Sequence, residues 1–512
     1  MLKEDAFFAS GDDKAIWTRY CGFLSLSVDE FYHIQQRLLT QQMAELSSSN
    51  FHRQLMGERK VANIDDFRQI VPLTRYQDYT SYLQDGQGRE LVRKPIYWIY
   101  TSAPKGTFKY VPWTERFNDV QCRNIIGALI LSSASGSGDI QVRPGCRFLE
   151  IAPESPFASG QLARQLMQEF TVTTIPHPEK AKHMAFNKKM EMAIKLALKS
   201  DIDFVAGMTS SLIKFENKFA RLVPDIMHSP KAIKELHPAV AWRLIRRLGR
   251  SDTLPADVWK IKGIFSWGVD TATYARRLEH QWGKKPLELY ASSEGGIVAM
   301  QDWRHGPLAL LPDSVFFEFI PHNLVNTSNP STILINDVEY GEVYEPVITQ
   351  FYGMPLMRYR QGDLIRFLPP DDNTDFVPRM EFVGRADDLV DIFGISRITT
   401  DTLVEALTRT GISHDEWFLT SGIEHDKLVL RLYTEKDGAT NAAETKRRLS
   451  RELRLIDRHW AEAIYTMGYN PLQIELVSPG TFRLLGGAQK LAHINPPESM
   501  VQRLSRLIKG EP

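Results

Sequence analysis

Apolar positions recur at three- and four-residue spacings through about the first 90 residues, the period of helices with one buried face. After Ser27 the apolar set is Phe31, Ile34 and Leu38, with Leu39, Met43 and Leu46 beside it. Ser27 and Glu30 read as a capping box, in which each side chain satisfies a backbone N–H left open at a helix start. LSSSN then stops the helix. From about residue 95 to 300 the texture changes. IYWIY, RFLEIA, DFVAG, IKGIFSW and LELYA read as strands, and helical patterns such as NKKMEMAIKLAL and YARRLEHQWG lie between them. This alternation predicts crossover connections and a largely parallel sheet. From about residue 314, SVFFEFI, STILIND, YEPVITQFY, LIRFL and MEFVG predict short strands with turns between. After GRADD (384–388) a smaller unit begins. There KLVLRLY alternates as a strand does, DGATNAA reads as a loop, and Leu449, Leu453, Ile456 and Trp460 line one helix face.

The expected fold class is therefore α/β. A large N-terminal α/β domain, residues 1–386, has a helical start, parallel strands and a β-rich subdomain. A smaller, mobile C-terminal α+β domain spans 387–512. A chain of 512 residues exceeds what one core supports, which agrees with two domains.

Composition narrows the function classes. Hydrophobic residues make up 43% and charged residues 24%, ordinary for a globular enzyme. Lys+Arg and Asp+Glu are both 62, so no general nucleic-acid or anionic-membrane surface is expected. Cys21, Cys122 and Cys146 are far apart and form no CxxC, so neither a disulfide framework nor a structural zinc site is expected. No apolar run reaches the ~20 residues of a membrane span. The N-terminus lacks the basic-then-apolar order of a signal peptide. A cytoplasmic location is expected. Oligomeric state is not written in the sequence.

Four stretches carry candidate chemistry, and each has a plainer reading beside it. LELYASSEGG (287–296) is a strand ending in an aromatic, two serines, a glutamate and two glycines. Open α/β sheets bind ligands at such strand ends. Tyr290 offers a flat face for a base, Ser292 and Ser293 suit a phosphate, and Glu294 suits Mg²⁺. The same residues also fit a polar turn. RYRQGD (358–363) places Asp363 after a glycine turn, and a carboxylate can accept from both hydroxyls of a ribose. It also fits a turn with exposed salt bridges. Arg385 and Asp387 in GRADD stand at the composition change, where a charged linker is the alternative. Lys490 follows a double glycine by three residues. A lysine on a mobile loop can enter a site on closure and stabilise developing phosphate charge, although most lysines are simply solvated.

Order and spacing join these stretches. TS…G..K..P (101–112), YASSEG, YEPVIT, RYRQGD, GRADD and GTF…GG..K together resemble the series of the acyl-adenylate-forming enzymes. Within that superfamily the chain is most similar to the auxin-responsive acyl-acid amido synthetase family and its bacterial relatives. IVPLTRYQDYTSYL, FLEIAPESPFASG, GMTSSLIKF, GEVYEPVIT and PLQIELVSPGTF carry the likeness along the chain, while GRADDLVDIFG resembles phenylacetate–CoA ligases. The resemblance implies an ATP- and Mg²⁺-dependent ligase. It would convert a carboxylic acid to an acyl-adenylate and pyrophosphate, then pass the acyl group to an amine, with coenzyme A as the alternative acceptor. A nucleotide- or acyl-binding protein without turnover is the third reading. Tyr290 would stack on adenine, in a segment with Ala291 and Ser292. Ser293 would contact the α-phosphate, and Glu294 would hold Mg²⁺. Asp363 would bind the ribose, Arg385 would support ribose or phosphate, and Asp387 would be the hinge. Lys490 would stabilise the adenylation transition state, and Met208, Thr209, Ser211 and Trp267 would line the acyl pocket.

Ser102, Gly106 and Lys109 align with the family's loop over the β- and γ-phosphates. The centre of that loop departs, with Ala103-Pro104-Lys105 where the family has a glycine and two hydroxyl residues. Pro104 donates no N–H and biases Ala103 towards an extended conformation. Lys105 brings a point charge in exchange.

Overall fold

Ser27 Oγ accepts from the Glu30 N–H, and the Glu30 carboxylate takes the Ser27 N–H, in a computed structural model of the chain. The capping box predicted from the sequence thus opens helix Val28–Leu46. The structure describes all residues except 1, 57–60, 62, 84–90, 103–107, 153–156, 183, 248–252, 269–270, 326, 371–374, 386–388, 393–394, 412–416, 436–440, 486–493, 497 and 510–512. Contacts group the chain into two units, Met1–Thr101 with Tyr110–Ala386, and Ser102–Lys109 with Asp387–Pro512.

In the first unit, helices precede any strand among the described residues, as the spacing predicts. A seven-stranded sheet follows, in the order Val172–Ile175, Cys146–Ile151, Phe204–Met208, Gly263–Trp267, Leu287–Ser292, Gly296–Met300 and Ala309–Leu310. The first five strands are parallel neighbours, and the last two are joined on by antiparallel pairings. Helices Ala158–Glu169, Phe186–Ser200, Thr209–Met227 and Thr271–Trp282 stand between strands in the chain, as crossover connections require. Both faces of the sheet are covered. Helix Glu115–Ser133 packs on Phe148, Ala206 and Phe265, while Leu149, Val205 and Ile264 face Leu212, Phe215 and Leu278.

The β-rich part is a second sheet of Val315–Pro321, Val343–Gln350, Asp363–Leu368 and Arg379–Arg385, with Tyr359–Arg360 paired on Val343–Gln350. STILIND is not one of its strands. Ile333 makes a single bridge to Phe319, and Ile335–Asp337 curls into a 3-10 turn. Thr332 turns inward to donate to Glu318 and Ile335 drops into the core, so the backbone leaves the ladder.

The second unit holds the antiparallel pair Leu389–Ile392 and Ser396–Thr399, and a sheet of Trp417–Glu424, Lys427–Glu435 and Leu472–Val477. One predicted helix is two. Asp457 takes an extended ψ of 104° and caps the next helix through His459 N, so Ala442–Ile456 ends there and Trp460 belongs to Arg458–Met467. Cys21, Cys122 and Cys146 are buried and unbridged. Among the described residues, no helix is long and apolar enough to cross a membrane.

Candidate active site

Parallel register puts several strand ends on one edge. Met208 lies beside Trp267, and Trp267 beside Leu289, so Tyr290 is the first residue past the paired carboxyl ends. Loops leaving this edge form the crevice in which open α/β sheets bind ligands.

The SSEGG turn is held from behind. Strand Leu287–Ser292 returns as Gly296–Met300, and Ser292 pairs with Gly296. Ser292 Oγ accepts from Gly295 N at 3.0 Å and from Gln361 Nε2 at 2.8 Å. Trp113 Nε1 donates to Ser293 O at 2.9 Å, and Gln350 Nε2 donates to Glu294 O at 2.6 Å. Gln121 Oε1 accepts from Ile297 N at 2.7 Å. Gly296 sits at φ +66°, and a Cβ there would lie 2.3 Å from the Gln121 amide carbon. Left-handed strain and overpacking would then act together. Gly296→Ala is expected to destabilise the protein by on the order of 2–4 kcal/mol. A melting curve matching the parent's would refute this.

Glu294 is buried and accepts from the Tyr359 hydroxyl at 3.1 Å. Mg²⁺ is commonly held by one or two carboxylates together with phosphate oxygens, so a single carboxylate in a serine- and glycine-rich turn fits that ion. Burial, reinforced by the Glu294 charge, pushes the Tyr76 phenol above its ordinary range. Burial also pushes Glu288, on the strand that leads into Tyr290, up to about 7.

The structure brings Tyr290 and Asp363 together. The Tyr290 hydroxyl donates to Asp363 Oδ2 at 2.6 Å, and its ring lies 6.3 Å from that of Phe382. Asp363 pairs in register with Arg385, whose side chain is outside the described residues. Ala291 is exposed. The two arginines of RYRQGD are committed to the scaffold. Arg358 bonds Glu318, and Arg360 bonds Glu345 and the Val325 carbonyl.

Met208 and Trp267 are half-buried at the carboxyl edge, whereas Thr209 and Ser211 are buried in helix Thr209–Met227. The Thr209 hydroxyl bonds those of Ser266 (2.7 Å) and Thr271 (2.9 Å). Ser102 and Lys109 lie on the paired strands Tyr97–Ser102 and Phe108–Trp113, which flank residues 103–107. Lys105, Gly106, Asp387 and Lys490 are outside the described residues, as is the side chain of Ser102. Sequence reasoning missed Trp113, Gln121, Gln350, Tyr359 and Gln361. A polar residue closing an apolar run, as Gln350 closes YEPVITQ, was the available signal.

Two family models match the chain. The GH3 family N-terminal domain covers residues 23–200, and the GH3 family central domain covers 308–385; together they span half of it. An indole-3-acetic acid-amido synthetase of Arabidopsis thaliana, GH3.3, is 34% identical over 130 residues. That match covers 24% of this chain and 20% of the relative, so the chain matches about a fifth of that relative's length. The structure of the acyl acid amido synthetase AtGH3.15 in complex with 2,4-DB superposes with a TM-score of 0.59 at 18% identity, covering 97% of this chain and 96% of that one. A 2-hydroxyisobutyryl-CoA ligase in complex with 2-HIB-AMP and CoA superposes with a TM-score of 0.60 at 15% identity, covering 95% and 94%. These two share the fold. With its N-terminal and central segments both matched, the chain belongs to the GH3 family.

Proposed function

We propose that this protein is an ATP-dependent ligase that adenylates a carboxylic acid and transfers the acyl group to an amine, an amino acid being the favoured acceptor. The meeting of Tyr290, Ser292 and Asp363 at the carboxyl edge carries this proposal. In this reading Tyr290 is the base-stacking ring, the Ser292 turn binds phosphate and Asp363 holds the ribose. Similarity to an indole-3-acetic acid-amido synthetase and to AtGH3.15 supports an amine acceptor.

A carboxylate oxygen attacks the α-phosphorus of ATP and pyrophosphate leaves. Two anions meet in that step, so charge must be neutralised. Mg²⁺, when bound, supplies part of that charge through Glu294. In this assignment Ser293 contacts the α-phosphate, Arg385 supports the ribose or phosphate, and Lys490 stabilises the transition state. Ser102, Lys105, Gly106 and Lys109 serve the outer phosphates. Residues 1–386 form the adenylation domain. Residues 387–512 form a lid that turns about Asp387 and keeps water from the reactive anhydride. The amine then attacks the acyl carbon, AMP leaves, and the amine proton passes to solvent or a base.

Coenzyme A is the second acceptor to test, because the 2-hydroxyisobutyryl-CoA ligase shares the fold over nearly the whole chain. The experiment incubates the protein with ATP, Mg²⁺ and a panel of aryl, indolyl and fatty acids, and measures pyrophosphate. Release with at least one acid, increased by amino acids, is expected. Release increased by coenzyme A alone would sink the amide assignment. ATP binding without release for any acid would leave a ligand-binding protein in place of an enzyme.

A further inference from the structure

An open cavity of about 430 Å³ lies between helix Ile64–Ile70 and the loop that precedes the 3-10 turn Ile335–Asp337. Asp65, Arg68 and Gln69 line it from the helix, Asn329 and Ser331 from the loop, and Arg358 from behind RYRQGD. A volume of this size admits a small organic molecule. Asp65, Gln69, Asn329 and Ser331 are exposed, so solvent reaches it.

Two guanidiniums form its charged wall. Arg68 Nε and Arg358 Nη2 both donate to Thr332 Oγ1, at 3.3 and 3.1 Å, so the two cations sit side by side. Glu318 Oε1 lies 2.9 Å from Arg358 Nη2 and 3.6 Å from Arg68 Nε. One buried carboxylate therefore answers two cations. The other charge among the lining residues is Asp65, whose side chain is 79% exposed and 3.9 Å from Arg68 Nη1. Water screens a pair so exposed, and Asp65 offsets little of the excess.

The donors divide between the two arginines. Arg358 commits its N–H groups to Glu318, Thr332 and the Arg68 and Val71 carbonyls, and so supplies charge alone. Arg68 Nη2 donates to the Thr332 carbonyl, while Nη1 meets Asp65 beyond hydrogen-bond length. The Gln69 and Asn329 amides and the Ser331 hydroxyl add neutral donors around the same space. The wall is also preformed. Arg358 stands at φ +45°, and a non-glycine residue persists there only where its surroundings over-determine it. A preformed cationic wall with outward donors suits an oxygen anion, which accepts from every one of them.

We propose that this cavity binds a small oxyanion, a phosphate or carboxylate group, which takes the place of Asp65 against Arg68 with Ser331 and Asn329 beside it. Binding here draws on no residue of the carboxyl edge and holds whether or not the protein adenylates an acid.

The test measures the Tm of the full chain in inorganic phosphate and, separately, in succinate, each against sodium chloride at equal ionic strength. A saturable rise with at least one of them is expected, and the anion that gives it identifies the group bound. Arg68→Gln should raise the midpoint concentration by about 10-fold or more, since it removes a charged donor. Ser331→Glu, at an exposed position, should keep the parent's Tm in chloride and abolish the rise. Asp65→Asn should lower the midpoint by about two- to five-fold, because it removes the competing carboxylate. No saturable rise with either anion would overturn the proposal. So would a rise that Arg68→Gln and Ser331→Glu both leave unchanged, which would assign the anion to the nucleotide crevice instead.

Discussion

Arg358→Ala is expected to lower stability by about 3–5 kcal/mol, the cost of leaving a buried charge without its partner. Arg358 is the first residue of RYRQGD, but its guanidinium is taken up by Glu318, Thr332 and two backbone carbonyls. Its Nε and Nη2 bond the two Glu318 oxygens at 3.0 and 2.9 Å, and Nη2 also reaches Thr332 Oγ1 at 3.1 Å. Its Nη1 donates to the Arg68 and Val71 carbonyls at 2.5 and 2.6 Å. The side chains of Arg358 and Glu318 are 7% and 1% exposed, so water cannot replace these contacts. Removing the arginine leaves Glu318 with only the Thr332 hydroxyl and the more distant Arg68 at 3.6 Å, and strands two carbonyls of the helical N-terminal region. A Tm decrease on the order of 10 °C is expected. Combining Arg358→Met with Glu318→Leu should recover at least half of the loss, because an apolar pair of similar volume carries no desolvation penalty. A single variant within about 1 kcal/mol of the parent protein would show that the pair is not what holds this sheet to the helices.

Lys490→Ala is expected to lower the rate of pyrophosphate release by about 100-fold or more, the usual effect of removing one preorganised donor from a developing anion. The Kd for ATP should change far less, since the lysine's contribution is made in the transition state and not in the ground state. Single-turnover kinetics with saturating ATP separate the two quantities. Normal release and normal binding would together remove Lys490 from the catalytic assignment. A proportional loss of both would make it a binding residue.

The turn at 292–296 and the position of Asp363 were legible in the sequence because each lies at the end of a short, strongly patterned strand. Tyr290 and Asp363 were named from separate motifs, and the structure joins them through one hydrogen bond. The arginines between those motifs were not legible. Arg358 and Arg360 flank Tyr359 in one hexapeptide, and their local composition carries no sign of Glu318 or Glu345. STILIND fails as a strand for a related reason. Its apolar count is right, but Thr332 and Ile335 answer to distant partners in the core. The residues expected to line an acyl pocket divide in the same way. Met208 and Trp267 end strands at the carboxyl edge, while the Thr209 hydroxyl is bonded to Ser266 and Thr271.

By itself, the sequence determined the order of helices and strands, the two-part division of its patterning, and the placement of serine- and glycine-rich turns at strand ends. These depend on spacing, capping and backbone freedom within a few residues. The tertiary structure alone decided which polar side chains face the crevice and which brace it. Gln121 reaches Ile297 across 176 positions, and Arg358 reaches Val71 across 287. Whether a buried amide or guanidinium serves a ligand or the scaffold depends on the partner it meets, and that partner is fixed by the packing of whole elements.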